Sequence, residues 1–322
     1  MAIPITLALG DYDVNDGLIS GAVRVPGVDL TVLTMPSPQR HWRMSRHLEF
    51  DVCEFSLATY LPLFDQGALP VTAIPAFPHR RFRHGYVFVN STKGITRPAD
   101  LNGRRVGIRN WETTAGLWAR GVLADEHGVD LASIDWVSQD DEDVPIDIAP
   151  YRMRRCAPGS TVIELLLAGE LEALIYPEMP SAEVLADPRM ARLFADPKAE
   201  EIAYLGRGGV FPLMHAVVIR DELTAAHPWL PRTLLDAFTA STELAFRRMQ
   251  DPRRTSLAWF GQALDEQVRL LGPNPWITGV EPNRAALETL VRYGHEQRLT
   301  RRRLTVEELF TPSTVHAPPK YV

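Results

Sequence analysis

The feature that most constrains this chain is a regular alternation of short apolar segments with helical ones, which limits the fold to the α/β classes. Strands separated by helices of this length are typical of a mostly parallel sheet. The first series predicts strands at 5–9, 28–33, 50–55, 71–77 and 85–90, with helices at 38–49 and 56–67.

A second series of the same kind follows, and the rest of the chain is almost wholly helical. It predicts strands at 104–109, 134–139, 171–176 and 211–220, with helices at 113–127 and 160–170. Two such series followed by a helical return predict an α/β fold with two lobes and a helical C-terminal third. The predicted lobe I comprises residues 1–92 and 211–322, and lobe II comprises residues 93–210. The predicted crossings lie near Asn90–Gly94 and Gly208–His215.

The predicted strand ends locate a candidate ligand site. Ligands of open α/β sheets bind beyond the carboxyl ends of the strands, and those of two-lobed proteins bind in the cleft. The polar residues expected there are Asp11, Tyr12 and Asp13, Glu54 and Ser56, the segment 79–84, the segment 109–114, and His215.

The segment HRRFRHG (79–85) concentrates positive charge at this predicted cleft. The chain as a whole carries a formal net charge of −6 and has a pI near 5.9. Nucleic-acid-binding domains are normally basic, so the composition argues against a nucleic-acid partner. The segment is therefore interpreted as a site for one small anion, with a solvated turn before a strand as the alternative.

The remaining composition is that of an ordinary globular protein. Of the 322 residues, 45% are hydrophobic and 23% are charged. The two cysteines, Cys53 and Cys156, are too few for a disulfide framework and lack the spacing of a zinc finger. No apolar run approaches the roughly 20 residues of a transmembrane helix, and the first residues lack a basic signal-peptide region. These features predict a cytoplasmic protein with no membrane partner.

Several segments resemble a known family. The segments LALGDYD, FDVCEFSLATYLPL, AIPAFPHRRFRHGYVFVN, FPLMHAVVIR and HEQRLTRRRLTVEELFTP occur in this order between about residues 5 and 312. They resemble the 4,5-dihydroxyphthalate decarboxylase family. DLNGRRVGIRNWETTAGLWARGVL resembles the opening of the second lobe in periplasmic-binding-protein-like folds. The resemblance implies a two-lobed fold of this class (type 2).

The resemblance also implies a reaction. The implied activity is that of a carboxy-lyase, which converts 4,5-dihydroxyphthalate to 3,4-dihydroxybenzoate and CO2 without oxidation. A hydroxyl para to the departing carboxylate makes the ring its own electron sink, so no organic cofactor is needed. The site must supply a base for the phenol, an acid for the ring carbon and cations for the retained carboxylate. Cations on the departing carboxylate would stabilise the ground state and raise the barrier.

The 79–85 segment meets part of this requirement. On an extended backbone, Arg81 and Arg83 share one face and are predicted to hold a carboxylate in bidentate fashion. His84 lies on the other face and is predicted to be the acid, because histidine titrates near neutrality. The alternative is a solvated turn with His84 packed structurally.

His215 and Glu54 complete the predicted catalytic set. His215 opens a strand at a predicted crossing and is interpreted as a second acid/base group, with a structural core histidine as the alternative. Glu54 and Asp11 are candidates to orient a histidine or the substrate. Together with the histidines, these carboxylates could form a metal site with nitrogen and oxygen ligands. The indication is weak, because the sequence has no HxH or HExxH spacing.

The predicted substrate-binding set includes two helix starts. Arg109 precedes Thr113 and Thr114, where a helix N-terminus would offer free N–H groups to an anion. In lobe I, Ser56 stands in the same way at the start of the predicted helix 56–67. The alternative for each hydroxyl is a plain N-cap, and the two roles are compatible.

Two features depart from the pattern of the family. Glu178 brings a negative charge towards the predicted cleft, and the acidic run 139–147 is specific to this chain. The alternative function is a solute-binding protein for a small aromatic or organic acid. A third possibility is an enzyme like the thiamine-pyrimidine synthases, but the sequence has no lysine-centred motif for it. The helical C-terminal third suggests a homo-oligomer.

Overall fold

The computed structural model describes residues 2–316 of the chain. Its strands are β1 Ile3–Leu9, β2 Val28–Thr34, β3 Val52–Ser56, β4 Val71–Ile74, β5 Val87–Asn90, β6 Arg105–Ile108, β7 Asp135–Ser138, β8 Arg152–Arg155, β9 Ala173–Ile175, β10 Met190–Arg192 and β11 His215–Arg220. Its helices are α1 Asp16–Ile19, α2 Ser37–His47, α3 Leu57–Gln66, α4 Thr114–His127, α5 Val162–Leu167, α6 Ala182–Leu185, α7 Pro197–Gly206, α8 Asp221–Ala226, α9 Leu230–Met249, α10 Phe260–Leu271, α11 Arg284–Glu296 and α12 Pro312–Val315.

The strands form two sheets, and this arrangement confirms the predicted two-lobed α/β fold. The first sheet has the order β2-β1-β3-β11-β4, and the second has the order β10-β5-β9-β6-β7-β8. Each sheet is mostly parallel and contains one antiparallel strand, which is β11 in the first sheet and β5 in the second. The helices between consecutive strands provide the crossovers that parallel pairing requires.

The position of β5 moves the first crossing. Strand β5 pairs with β9 and β10, so it already belongs to the second sheet. The chain therefore leaves the first sheet within residues 75–86, earlier than the predicted crossing near Asn90–Gly94. It returns between β10 and β11, a stretch that includes the predicted crossing near Gly208–His215. The lobe boundaries stay a prediction, with lobe I at 1–92 and 211–322 and lobe II at 93–210. Strand β5 lies within the first of these ranges but pairs in the second sheet.

The two crossing segments run side by side. Arg80 and Leu213 form an antiparallel bridge, the N–H of Arg81 donates to the carbonyl of Pro212, and the N–H of Met214 donates to the carbonyl of His79. The basic segment 79–83 is thus part of the crossing between the sheets, where the sequence predicts only that it lies at the cleft.

Edge elements account for most of what the sequence analysis missed. Strand β8 has the sequence RMRR and is largely exposed, so it lacks the apolar signal of a buried strand. Strand β10 is only three residues long, and helices α6 and α7 lie beside it on the surface side of the second sheet. The described residues contain no helix long and apolar enough to cross a bilayer.

The helical C-terminal part connects the two lobes. Residues of α3, α4 and α11 belong to one continuous hydrophobic cluster. At its centre the buried Arg120 of α4 donates to the side chain of Gln297, and the Trp111 indole donates to the carbonyl of the same residue. The amide of Gln297 donates in turn to the carbonyl of Leu117. We call this set of contacts the C-terminal brace.

Candidate active site

A cleft of about 520 Å³ lies where the two sheets meet. The carboxyl ends of β3, β6 and β7, the start of β11 and the crossing segments all reach it, as expected for this class of fold. The side chains that line it and bear on the chemistry are His41, Trp42, Ser56, His79, Arg83, Arg109, Glu112, Thr113, Thr114, Asp140, Asp143, Glu178 and His215.

Glu54 and His215 form a buried pair beneath the lobe I wall. Strands β3 and β11 are antiparallel neighbours, and this pairing places His215 beside Ser56 and close to Glu54. The Nδ1–H of His215 donates to Oε1 of Glu54 at 2.5 Å. Such a bond fixes the proton on Nδ1 and leaves Nε2 as the nitrogen available to a ligand.

Glu54 is also neutralised by Arg40, which lies on α2. The Nη2 of Arg40 lies 3.0 Å from Oε1 of Glu54, and both side chains are completely buried. The N–H of Gly10 donates to Oε2 at 2.8 Å. Arg40 additionally donates to the backbone carbonyls of Glu54 and Met35. The carboxylate is therefore fully hydrogen-bonded, which is what a buried charge requires.

Three imidazoles cluster on this wall. The rings of His41 and His79 stand 4.8 Å and 4.7 Å from the ring of His215 between centroids. Burial lowers the pKa of His41 and of His215 well below the usual range, and it lowers the pKa of His79 to about 2. The Nε2 of His41 and the Nδ1 of His79 are buried without a hydrogen-bond partner in the described chain. The wall thus offers neutral imidazoles with unused polar atoms.

Arg83 supplies the positive charge on the same side. Its guanidinium is buried, with 5% of the residue exposed, and donates to the thioether of Met214 and to the carbonyl of Pro177. Within residues 2–316, no carboxylate is hydrogen-bonded to it. Burial lowers the pKa of Arg83 to about 10, so it stays charged at neutral pH. A buried cation in this state is completed by an anion.

Arg109, on the lobe II wall, is already paired. Its Nε donates to Asp140 at 2.7 Å, and its Nη1 lies 3.2 Å from Glu178. Both carboxylates also line the cleft. Glu178 and the acidic run, which the sequence analysis marked as departures, therefore act on the charge of the predicted substrate-binding arginine.

Two helix N-termini meet at the floor of the cleft. Ser56 caps α3, and Thr113 caps α4 by accepting the N–H of Gly116. The hydroxyl of Thr114 bonds to that of Ser56 at 2.9 Å and accepts the N–H of Ala58 at 3.0 Å. The predicted hydroxyls thus lie in the cleft, and all three take part in caps or in the contact between the lobes.

Three other predicted site residues lie outside the cleft lining. Past Arg83 the chain forms a 3-10 turn, His84–Tyr86, which ends the extended path assumed for residues 81–86. His84 therefore packs against Phe194 and Tyr204, and burial lowers its pKa to about 4. The exposed Arg81 donates to the hydroxyl of Tyr86. The side chain of Asp11 is exposed to solvent.

Several site residues were not predicted. Arg40, His41 and Trp42 lie on α2, which follows the carboxyl end of β2 and so reaches the same edge of the sheet. Applying the strand-end rule to β2 would have found them. His79 was visible at the start of the basic segment but was given no role. Glu112 lay inside the predicted 109–114 segment, again without a role.

The described residues contain no group of three or more His, Cys, Asp or Glu side chains arranged to hold a metal ion. The rings of His41 and His79 each meet the ring of His215 edge to face, with angles of 90° and 64° between their planes.

Solved structures of similar fold include sulfonate-binding proteins. The alkanesulfonate-binding protein SsuA from Xanthomonas axonopodis pv. citri, bound to MOPS, matches with a TM-score of 0.55 and 15% identity. The match covers 96% of this chain and 98% of that one. At this level of identity the match establishes the fold, which is periplasmic-binding-protein-like as predicted.

Similar sequences indicate the family. No family model matched the chain. A 4,5-dihydroxyphthalate decarboxylase from Comamonas testosteroni is 33% identical over 325 residues, which is 98% of each chain. A protein of the same name from Pseudomonas putida is 30% identical over 204 residues, covering 60% of this chain and 78% of its own. With one such relative matched along nearly its whole length, the chain belongs to the 4,5-dihydroxyphthalate decarboxylase family.

Proposed function

We propose that this protein is a non-oxidative decarboxylase of a hydroxylated aromatic carboxylic acid, and that its substrate is 4,5-dihydroxyphthalate. The products are 3,4-dihydroxybenzoate and CO2. The observation that carries the proposal is the buried Arg83 without a carboxylate partner, next to the imidazole cluster in the same cleft. Family membership supports the reaction type.

Arg83 binds the carboxylate that stays on the ring. Its guanidinium is fixed by Pro177 and Met214, so little conformational entropy is lost when an anion binds. The exposed indole of Trp42 provides an aromatic surface at the rim of the cleft. Arg109 is engaged by Asp140 and Glu178, which leaves the departing carboxylate without a strong cationic clamp.

His215 protonates the ring carbon that carries the departing carboxylate. Its orientation is set by Glu54, so Nε2 is the nitrogen that carries the transferred proton. Burial lowers the pKa of His215 well below its usual range and so favours the neutral imidazole. A bound dianion favours the protonated form, and Glu54 stabilises the resulting imidazolium. This assignment replaces His84, whose side chain packs on the other side of Arg83.

Glu54, Ser56, Thr113 and Thr114 support the site without holding the reacting atoms. Glu54 orients His215, and the three hydroxyls cap the two helix N-termini and join them to each other. The cytoplasmic location and the homo-oligomeric state remain predictions from the sequence, and neither enters the proposed chemistry.

The test is an assay of the purified protein with 4,5-dihydroxyphthalate and a panel of hydroxybenzoates, with and without EDTA. We expect release of CO2 and 3,4-dihydroxybenzoate in both conditions. If EDTA abolishes turnover and a divalent metal restores it, the metal-independent mechanism is wrong. Tight binding measured by calorimetry, with no turnover on any compound, would contradict the decarboxylase and favour the solute-binding alternative.

A further inference from the structure

The acidic loop after β7 is joined to the loop after β6 by a reciprocal clamp. The carboxylate of Glu142 accepts the N–H groups of Trp111 and Glu112 at 2.7 and 3.0 Å. The carboxylate of Glu112 accepts the N–H groups of Asp143 and Val144 at 2.6 and 3.1 Å. Four hydrogen bonds thus fix the position of Asp143 on the lobe II wall.

Asp143 and Glu112 place two carboxyl groups side by side in the cleft. Both side chains line it, on the wall opposite the histidines. Burial, with the negative charges of Glu142 and Asp143, raises the pKa of Glu112 to about 8. Burial raises the pKa of Asp143 as well, while the positive charge of Arg46 and a hydrogen bond to Glu112 oppose the rise. Glu112 therefore holds its proton at neutral pH, which leaves Asp143 as the member of the pair that can act as a base.

We propose that Asp143 is the general base that takes the proton from the phenol para to the departing carboxylate. The inference rests on the proposed function, which needs a base at the end of the ring away from the proton donor. His41 and His215 line the cleft from lobe I, Arg83 lines it from the crossing segment, and Asp143 is fixed on a lobe II loop. A ring bridging the walls presents its carboxylates to one side and its hydroxyls to the other.

The bond changes balance with these two groups. The phenolic O–H bond breaks, its proton moves to Asp143, and the oxygen electron pair enters the ring while the ring carbon takes a proton from His215. The C–C bond to the carboxylate then breaks, and its electron pair restores the aromatic ring as a phenolate. Asp143 returns its proton to the phenolate, and solvent reprotonates His215. Each turnover releases one CO2 and consumes one proton.

The experiment compares Asp143→Asn with Asp147→Asn. Both remove one charge from the same run, but Asp147 is exposed and lies outside the cleft lining. We expect Asp143→Asn to lower kcat by roughly 100-fold or more, within the range of general base catalysis. We expect Asp147→Asn to keep kcat within about twofold. Thermal melting of both variants shows whether each is folded.

A substrate series separates proton abstraction from a structural effect. Ring substituents that lower the phenol pKa below the buffer pH deliver the substrate already ionised, so the base is no longer needed. We expect the ratio of wild-type to Asp143→Asn kcat to fall towards one along this series. A ratio that stays constant, or a fully active Asp143→Asn, would overturn the inference. The turnover of the wild-type protein is a separate test: its absence would contradict the proposed function, whereas the two results above test only the role of Asp143.

Discussion

Glu54 and Glu178 are carboxylates at the same cleft, but their surroundings differ completely. Glu54 has no exposed surface and is bonded to Arg40, His215 and the backbone of Gly10. The side chain of Glu178 is 58% exposed and makes one longer contact with Arg109. The first is a fixed part of the fold, and the second is an adjustable part of the surface.

The difference follows from how each wall is built. The lobe I wall is made by buried strands whose polar side chains must be paired, because an unpaired charge there costs several kcal/mol. On the lobe II wall the ion pair between Arg109 and Glu178 is in contact with water, where such a pair is worth about 0–1 kcal/mol. We therefore expect substitutions of the buried pairs on the first wall to change both chemistry and stability, and substitutions of the exposed Arg109–Glu178 pair on the second wall to tune substrate choice.

The largest expected effect is on His215. His215→Gln should lower kcat by roughly 100- to 10,000-fold, because the proton donor is lost. The matched variant is His84→Asn, which should keep kcat within about threefold, since His84 packs away from the cleft. Steady-state assays of the two variants show which histidine is the proton donor. The opposite pattern would restore the sequence-based assignment of His84.

Glu54→Gln should have the largest effect on stability. It leaves the buried Arg40 without its charge partner, and removing one member of such a pair costs about 3–5 kcal/mol. Chemical denaturation measures the free energy of unfolding. The control Glu178→Gln should change it by less than about 1 kcal/mol. Equal effects of the two variants would mean that the walls do not differ as described.

Arg83→Ala should weaken substrate binding. A charge-assisted hydrogen bond contributes about 1.5–3 kcal/mol, so we expect KM to rise roughly 10- to 100-fold. The KM of Arg83→Lys should lie between those of wild type and Arg83→Ala, because lysine keeps the positive charge but lacks the planar guanidinium that bonds a carboxylate in bidentate fashion. Benzoates lacking the second carboxylate should bind wild type and Arg83→Ala almost alike. A uniform loss for every compound would instead indicate collapse of the site.

The smallest expected effect is on Glu178. Glu178→Gln frees Arg109 in part, so KM for dicarboxylates should fall by about two- to fivefold. The kcat should not rise, because a change that only strengthens substrate binding does not lower the barrier from the bound substrate. A rise in KM on this substitution would show that Glu178 itself contacts the substrate.

The two walls also differ in how well sequence predicts them. Glu54 and Ser56 lie at the carboxyl end of the buried strand β3 and His215 begins β11, so the strand-end rule points to all three. His84 was misplaced because strand alternation was extended through a turn that depends on tertiary packing. The clamp between Glu112 and Glu142 joins loops that neither periodicity nor a motif relates. The composition of an acidic run does not tell which of its carboxylates turns inward.

The C-terminal brace has a consequence for how the molecule would respond to its ligand. Gln297 bonds to α4 through Arg120 and Leu117, so the C-terminal part joins the lobes in addition to the crossing segments. Dyes attached to the two lobes would keep the same separation when substrate is added. A chain of this fold with such a brace is a poor scaffold for a fluorescent sensor but a rigid frame on which new ring substrates can be tried.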